Sequence, residues 1–458
     1  MKTTASTSFV PSLKSIGVLL IVISAISPAS SVFVIMPLVI AKAGSGAIWS
    51  YLFAAVTSMF MAFVYAELSS AFPTTGGEYP VIGKTMNRYW GFITLVMTVF
   101  GSIWVIATMS LGISAYLGAL GIDLNVQWTA VVMLVLATAV AVLNIKVNAF
   151  VTGLFLLIEI LALVLLTALG FIHVERPFIE LMTSPQIVDA TFKGLTPATF
   201  GLFMGATSLA LFSYEGYGSA IYLGEETHDA KRKIGRVVLI ALGVSVLTQI
   251  VPLLAVLMGA PNLVDLMSSP QMMSYFIESR AGKLIATIVS LSIATAIFNA
   301  VIAMILQSAR LVYSTGRDNT WFPSLNTALA TIHPRFNSPF NATILLSIAS
   351  CIACFMKLET LMLLSGTMVI VVHSLLCIAV ILGRRNGTTD NGFSRMPFFP
   401  IPAVLCLAGM AAIFYLNLID ADFGRPSLIS TGEIILCASI YYFLFLSRRK
   451  NWNFHLPD

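Results

Sequence analysis

The chain has 458 residues, of which 58% are hydrophobic and 10% are charged, and its formal net charge is +5. Soluble domains carry about 25% charged residues, so this composition excludes an ordinary soluble protein and predicts an integral membrane protein. The five cysteines all lie in apolar segments, which argues against a disulfide scaffold. We predict no metal site, no cofactor and no nucleic-acid partner.

Twelve apolar runs follow one another along the chain, each close to the roughly 20 residues that cross a bilayer. They span residues 15–41, 46–72, 89–119, 125–145, 147–172, 196–224, 234–260, 283–312, 339–357, 359–383, 398–419 and 428–447. We predict an all-α membrane protein with one transmembrane domain over residues 1–458. Helices 1–5 occupy about 15–172, helices 6–10 about 196–383, and helices 11 and 12 about 398–447.

Basic residues predict the orientation of these helices. Of the 25 Lys and Arg residues, 18 lie in segments on the same side as the N-terminus. Lys and Arg are retained preferentially on the cytoplasmic side. We therefore expect both termini in the cytoplasm of a multi-pass plasma membrane protein, which in a bacterium means the inner membrane.

Between Ser24 and Ser31, helix 1 contains a proline and four serines and almost no bulky side chains. Pro28 removes one backbone hydrogen bond, and the serines around it can satisfy the groups that this frees. The segment therefore predicts an interruption in the middle of the helix. Its candidate binding residues are Ser27, Pro28, Ala29, Ser30 and Ser31.

Helix 6 is interrupted at the matching place, where FSYEGYG follows a long apolar run. An ionisable residue such as Glu215 costs about 2.5–3.5 kcal/mol at bilayer depth, and Gly216 weakens the helix. A kinked helix with a hydrogen-bonded glutamate is the structural alternative. Two interrupted helices in matching positions nevertheless favour an inverted-repeat transporter with a site near the midplane. The candidate residues here are Phe212, Ser213, Tyr214, Glu215, Gly216 and Tyr217.

Five further residues are candidates for coupling or gating, as Glu215 is. Glu159 is either a buried hydrogen-bonding partner or part of a proton route. Trp104 either packs or lines a cavity, and Asn299 is able to bond across helices. Glu225 and Glu226 precede a basic cluster, so they either form ion pairs that open and close or belong to a solvated helix end.

Three other polar residues have structural interpretations. Glu67 and Glu78 flank a Pro-Thr-Thr-Gly-Gly turn, where a structural or gating role is favoured over substrate contact. His373 stands alone in helix 10, which favours a packed neutral histidine over a proton relay.

Three separated segments together resemble the amino acid–polyamine–organocation transporter superfamily. They are YAELSSAFPTTGGEY after helix 2, FSYEGYGSAIYLGEET at helix 6 and ARLVYSTGRDNTWFP after helix 8. The resemblance covers residues 15–447. It implies a five-plus-five inverted repeat of helices 1–5 and 6–10, with helices 1 and 6 broken and two peripheral helices at the end.

The resemblance also implies roles for the two breaks. In the superfamily, backbone N–H groups of a Gly-Ser-Gly-like break in helix 1 hold a substrate carboxylate. Ala29-Ser30-Ser31 takes that place here, and without the glycines the backbone approaches a ligand less closely. In helix 6, Phe212 matches an aromatic gate, and Glu215-Gly216 matches the residues that hold the substrate amine.

The predicted function is that of a permease, a secondary transporter that moves amino acids by alternating access. Coupling is either proton symport through Glu215 or exchange of one amino acid for another, with membrane lipid as the surrounding partner. Sodium coupling stays open, because hydroxyls are available in helix 8. The main alternative is a polyamine or organic-cation transporter of the same fold. A non-transporting sensor is much weaker, and no nucleophile–base pair suggests an enzyme.

Overall fold

The chain folds into a bundle of helices in a computed structural model that describes residues 11–118, 125–189, 191, 193–421, 424–449 and 451–455. Lipid offers no water to backbone groups, so apolar runs satisfy them within helices. The α-helices are α1 (Ser15–Ile26), α2 (Pro28–Ser30), α3 (Met36–Ala43), α4 (Ala47–Ala71), α5 (Glu78–Thr85), α6 (Arg88–Gly118), α7 (Val126–Ala141), α8 (Ile145–Ile172), α9 (Phe178–Thr183), α10 (Phe200–Tyr214), α11 (Ala230–Gly259), α12 (Leu263–Ser268), α13 (Met272–Ala281), α14 (Lys283–Arg317), α15 (Pro323–Leu329), α16 (Phe340–Ala353), α17 (Leu358–Arg385), α18 (Ile401–Ile419) and α19 (Gly424–Tyr441). The 3₁₀ turns are Gly44–Gly46 and Tyr217–Leu223, and the π-helical turns are Ser31–Ile35 and Tyr442–Leu446.

Eight stretches of the described residues are long and apolar enough to cross a membrane. They are Ser15–Ala71, Arg88–Ser114, Ile145–Ile172, Ala230–Gly259, Lys283–Arg317, Thr360–Arg385, Ile401–Ile419 and Gly424–Leu446. The predicted class, a multi-pass helical membrane protein, is confirmed. The count of twelve helices and the inverted repeat stay predictions.

A short hairpin, which was not predicted, precedes the helix that was expected to begin at residue 196. Strand β1 (Gln186–Val188) pairs antiparallel with β2 (Leu195–Pro197), with Ile187 opposite Thr196. The hairpin packs against the turn that follows α3. There Gly44 has a φ of +60°, and a Cβ on it would lie 2.0 Å from the carbonyl oxygen of Gln186. The run predicted to begin helix 6 at 196 therefore becomes helical only from Phe200.

Helix α14, with 35 residues, is the longest helix among the described residues. It packs on α1, α6, α7, α8 and α16, and polar side chains lie buried along it at Asn299, Gln307 and Arg310. Helix α11 packs on α4 and α8, and α10 packs on α3 and α4. These contacts bring the interruptions of helices 1 and 6 together inside the bundle.

Both chain ends, as far as the structure describes them, lie at one end of the bundle. The backbone N–H groups of Ser12 and Leu13 donate to the carbonyl oxygen of Glu226, each at 2.8 Å. The N–H of His455 donates to Asp318 Oδ1 at 3.1 Å. We call this the termini end, and the hairpin lies at the opposite end.

Candidate functional site

Helix 1 is interrupted at Ser27, which has a φ of 48° and a left-handed conformation. Helix α1 closes with a bond from the Ser27 N–H to the Ile23 carbonyl oxygen at 2.9 Å. Pro28 starts the next turn, where a proline is well placed because the first helical residue needs no N–H donor. The chain then continues as helical turns through Ala43, so the break is confined to one residue.

Glu159 of α8 caps the turn that begins after this break. Its Oε1 accepts bonds from the Ser27 hydroxyl at 3.0 Å and from the Ala29 N–H at 2.7 Å. The side chain is fully buried, and its Oε2 has no hydrogen-bond partner among the described residues. A backbone N–H that the resemblance assigns to a substrate carboxylate is thus already bonded to a carboxylate of the protein.

Helix 6 is interrupted at Glu215 and Gly216. Glu215 is extended, with φ −58° and ψ 152°, and Gly216 has a φ of +114°, which only glycine adopts without strain. A Cβ on Gly216 would lie 3.0 Å from Cγ1 and 3.3 Å from Cα of Ile26, the last residue of α1. The two interruptions therefore lie directly against each other.

Ser213 anchors the end of α10 to its neighbours. Its carbonyl oxygen accepts from the Ser31 hydroxyl at 2.9 Å and from Gln249 Nε2 at 2.8 Å. Its hydroxyl donates to Gln249 Oε1 and lies 3.2 Å from the hydroxyl of Tyr51. Sequence analysis missed Gln249 and Tyr51. The lone amide in the apolar run of α11 was a visible signal for Gln249.

A cavity of about 310 Å³ lies where the two interruptions meet. Five of the predicted binding residues line it: Ser30, Ser31, Phe212, Glu215 and Gly216. Five others lie outside its lining: Ser27, Pro28, Ala29, Ser213 and Tyr214. The cavity is therefore lined by residues that follow the helix 1 break and by the residues at which helix 6 is interrupted.

The ionisable groups of the cavity are acidic or imidazole. Glu78, Glu215 and His373 line it, and no Lys or Arg does so among the described residues. Glu78 already accepts bonds from the hydroxyls of Tyr65 at 3.1 Å and Tyr222 at 2.5 Å. The Glu215 side chain is 28% exposed, so it is the carboxylate more available to a ligand. The tyrosine partners of Glu78 were not predicted.

His373 of α17, which was interpreted from the sequence as a packed histidine standing alone, lies beside Glu215. Its Nε2 lies 3.8 Å from Glu215 Oε2, and its ring packs edge-on against Tyr65. Both residues also line a second cavity of about 310 Å³, which is lined by Tyr217 as well and reaches Asp420. Glu215 and His373 thus form part of the wall that the two cavities share.

Ion pairs occupy the termini end of the helix 6 segment. Glu225 Oε2 accepts from Arg317 Nη1 at 2.7 Å, while its Oε1 accepts from the N–H and hydroxyl of Thr75. Burial opposes ionisation of Glu225, but the hydrogen bonds and the charge of Arg317 outweigh it and lower its pKa. Glu226 accepts two bonds from Arg310, at 2.6 and 3.1 Å, and both side chains are buried.

The last two gating candidates lie away from the cavity. Trp104 is 7% exposed, and its ring centroid is 5.7 Å from that of Phe100, outside the cavity lining. Asn299 Nδ2 donates to the Thr152 carbonyl oxygen at 3.2 Å, which joins α14 to α8. The Trp104 contact is aromatic packing along α6, and the Asn299 contact is a hydrogen bond between helices.

A family model described as amino acid permease matches residues 13–445. The chain is 22% identical over 445 residues to the branched-chain amino acid permease BcaP of Bacillus subtilis (strain 168), covering 93% of this chain and 90% of that protein. It is 24% identical over 422 residues to the methylthioribose transporter of the same bacterium, covering 85% and 84%. With the cationic amino acid transporter 7 of Arabidopsis thaliana it shares 25% identity over 395 residues, 81% of this chain and 64% of that protein.

These relatives are transporters rather than enzymes, and the match of the family model extends over nearly the whole chain. The resemblance drawn from three short segments is thereby confirmed. The chain belongs to the amino acid permease family, within the amino acid–polyamine–organocation superfamily.

Proposed function

We propose that this protein is a secondary transporter that carries an amino acid across the plasma membrane by alternating access. The observation that carries the proposal is the position of Glu215. Its carboxylate is part-exposed in the cavity where the two helix interruptions meet, and no Lys or Arg lines that cavity in the described part of the chain. Such a site favours a ligand with a positive group.

The substrate would lie across the two interruptions. Its ammonium group pairs with Glu215, since charge-assisted hydrogen bonds are about twice as strong as neutral ones. Its carboxylate lies at Ser30, near the positive end of the helical turns that Pro28 begins. Ala29 and Ser31 are not assigned this contact, because the Ala29 N–H donates to Glu159 and the Ser31 hydroxyl and N–H donate to the carbonyl oxygens of Ser213 and Ser27. Phe212 lines this cavity and occludes the substrate, whereas Tyr217 lines the second cavity and not this one.

The termini end would be the cytoplasmic end, closed in the described conformation. Glu225–Arg317 and Glu226–Arg310 hold the segment after the helix 6 break against α14. Opening of the cytoplasmic path requires these contacts to separate, which is the gating role predicted for the two glutamates. In this proposal, the two halves of the predicted twelve-helix inverted repeat move relative to each other to open the path.

Substitution of Glu215 tests the proposal. Glu215→Gln keeps the size of the side chain but removes its charge, so we expect substrate affinity to fall by about tenfold or more. The melting temperature without substrate should stay unchanged. Binding is measured by thermal shift of the purified protein against the amino acids and common amines, and transport by uptake into proteoliposomes.

Glu180→Gln is the matched control, because Glu180 is an exposed glutamate in α9. We expect it to bind and transport as the natural protein does. Unchanged affinity in Glu215→Gln would exclude Glu215 as the amine-binding group.

We propose that transport is coupled in one of two ways. Glu215 carries a proton in symport, or the protein exchanges one amino acid for another. Uptake is compared with and without a pH gradient, and with and without amino acid inside the vesicles. Symport predicts that the gradient drives uptake and that Glu215→Gln abolishes the drive. A pH dependence unchanged in the variant would remove Glu215 from the coupling step.

A polyamine or other organic cation is the second candidate substrate. Two observations favour it: Glu78 and Glu215 line the same cavity, and the Ala29 N–H is bonded within the protein. Competition of uptake by putrescine but not by amino acids would establish it. The reverse result would establish the amino acid.

A further inference from the structure

Residues 451–455 fold back over the termini end of the bundle, and we call them the C-terminal strap. Trp452 and Phe454 are its anchors, with exposures of 1% and 4%. The Trp452 ring packs edge-on against Phe92 and Tyr442 and lies under the guanidinium of Arg88 at 5.8 Å. The burial of these two aromatic side chains shows that the segment is docked against the bundle.

Two glycines form the seat of Phe454. A Cβ added to Gly83 of α5 would lie 2.1 Å from Cε2 of the Phe454 ring. A Cβ on Gly91 of α6 would lie 2.7 Å from its Cζ. The ring also packs against Tyr79, with the ring centroids 5.8 Å apart. The absence of side chains at 83 and 91 is therefore what admits the aromatic ring between α5 and α6.

The strap ends on the residues beside the Glu225–Arg317 ion pair. The His455 N–H donates to Asp318 Oδ1 at 3.1 Å, and the Thr74 hydroxyl lies 3.5 Å from the His455 carbonyl oxygen. Asp318 directly follows Arg317. Thr74 adjoins Thr75, whose N–H and hydroxyl bond Glu225.

The strap thus bridges the two sides of this ion pair. One side is the turn before α5 together with the seat on α5 and α6, and the other is the C-terminal end of α14. A segment that contacts both sides stabilises the closed arrangement. It loses that stabilising contact once the two sides separate. A contact of this kind shifts a two-state equilibrium toward the closed state.

We propose that the C-terminal strap is an autoinhibitory latch that holds the termini end closed. Release of Phe454 from its seat frees His455 from Asp318 and allows Thr75, Glu225 and Arg317 to separate more often. The latch acts on opening and not on the ligand cavity, because Phe454 and its glycine seat lie outside the lining of that cavity.

Cysteine accessibility behind the ion pairs measures this opening. Ser314 is fully buried, and its hydroxyl lies 3.3 Å from that of Thr75, so Ser314→Cys reports on access from the termini end. The reporter is placed in the full chain with Cys351→Ala and Cys437→Ala, which remove the two cysteines that are not buried. The rate of maleimide labelling is measured on folded protein from size-exclusion chromatography.

Two variants release the strap by independent routes. Phe454→Ala removes the anchor, and Gly83→Ala fills its seat at a helical position where alanine is otherwise favourable. We expect each to label about tenfold faster, the shift that corresponds to loss of one hydrogen bond to a charged group. Initial uptake rates should rise with labelling. Phe322→Ala, which removes a phenylalanine that is 57% exposed and near the same end, should label at the original rate.

The labelling assay needs no substrate, so its outcome is separate from that of the proposed function. Faster labelling in either folded variant supports the latch. An unchanged labelling rate in both variants overturns it. A lower melting temperature without faster labelling also overturns it, because the strap would then be packing alone.

Discussion

Each of the two helix interruptions has a glutamate beside it, but the two carboxylates have different surroundings. At the helix 1 break, the carboxylate of Glu159 is wholly buried and accepts bonds from Ser27 and Ala29. At the helix 6 break, the Glu215 side chain is 28% exposed and faces two cavities. The first carboxylate accepts a backbone hydrogen bond of the protein, whereas the second lies part-exposed between two cavities, where we propose that it binds the substrate.

This difference leads us to propose a conformational role for Glu159 and a binding role for Glu215. A polar group inside a membrane is expensive, so its partners indicate what it does. Both hydrogen bonds to Glu159 Oε1 come from residues of the helix 1 break, so we infer that Glu159 sets the shape of helix 1. Glu215 has only His373 near its carboxylate, at 3.8 Å, among the salt-bridge partners of the described residues. Variants at the two breaks should therefore differ in whether stability or affinity changes.

Gly216→Ala should have the largest effect on stability. Alanine at a φ of +114° is strained, and its Cβ would press on Ile26 at 3.0 Å. We expect a loss of about 3 kcal/mol in the free energy of unfolding, from backbone strain and overpacking together. Thermal melting in detergent measures it, and uptake should be lost because the two breaks no longer fit together.

Gly243→Ala is the control for this substitution. Gly243 lies inside α11, and nothing stands within 4 Å of a Cβ added there. Alanine is the better helix former, so this variant should be as stable as the natural protein or slightly more stable. If Gly216→Ala melted like Gly243→Ala, the close fit between the two breaks would be refuted.

Glu159 offers the direct test of the conformational role. Glu159→Ala leaves the buried Ala29 N–H without its acceptor, which costs about 1–3 kcal/mol. Glu159→Gln keeps a carbonyl oxygen at that position and should lose much less. Melting temperatures of both variants, measured beside Glu215→Gln, check the prediction.

The three variants should differ in which quantity changes, the stability or the substrate affinity. Stability should fall in Glu159→Ala and remain in Glu215→Gln, while affinity should fall in Glu215→Gln. A Glu159→Ala variant that melts normally but no longer binds substrate would reverse the roles assigned to the two carboxylates.

The fold was predictable where hydropathy alone determines it. Helix α17 was expected over 359–383 and spans Leu358–Arg385, because an apolar run in lipid has no alternative to a helix. The β1–β2 hairpin was not predicted. Its strands have three residues each, and its position depends on contact with Gly44, far away in the sequence.

The two interruptions were predictable because each contains a residue that is unfavourable inside an apolar helix. Glu215 and Pro28 stand out in apolar runs, so the two interruptions were found. The pairs Glu159–Ala29, His373–Glu215 and Gln249–Ser213 were not found. Each joins different helices, and no pattern within one helix tells which faces will meet. Glu159 was therefore a candidate without a partner, and His373 was interpreted as isolated.

The hydroxyl of Ser31 gives the smallest expected effect and the finest test of the contact between the breaks. It donates to the Ser213 carbonyl oxygen at 2.9 Å, and that oxygen keeps its bond from Gln249 in a Ser31→Ala variant. We expect a loss of about 1 kcal/mol, the net value of one neutral hydrogen bond. Ser292→Ala, whose exposed hydroxyl bonds only its own helix at Ile288, should change nothing measurable. If Ser31→Ala instead lowered substrate affinity as much as Glu215→Gln does, helix 1 would contribute to binding as strongly as helix 6, and the contrast between the two breaks would fail.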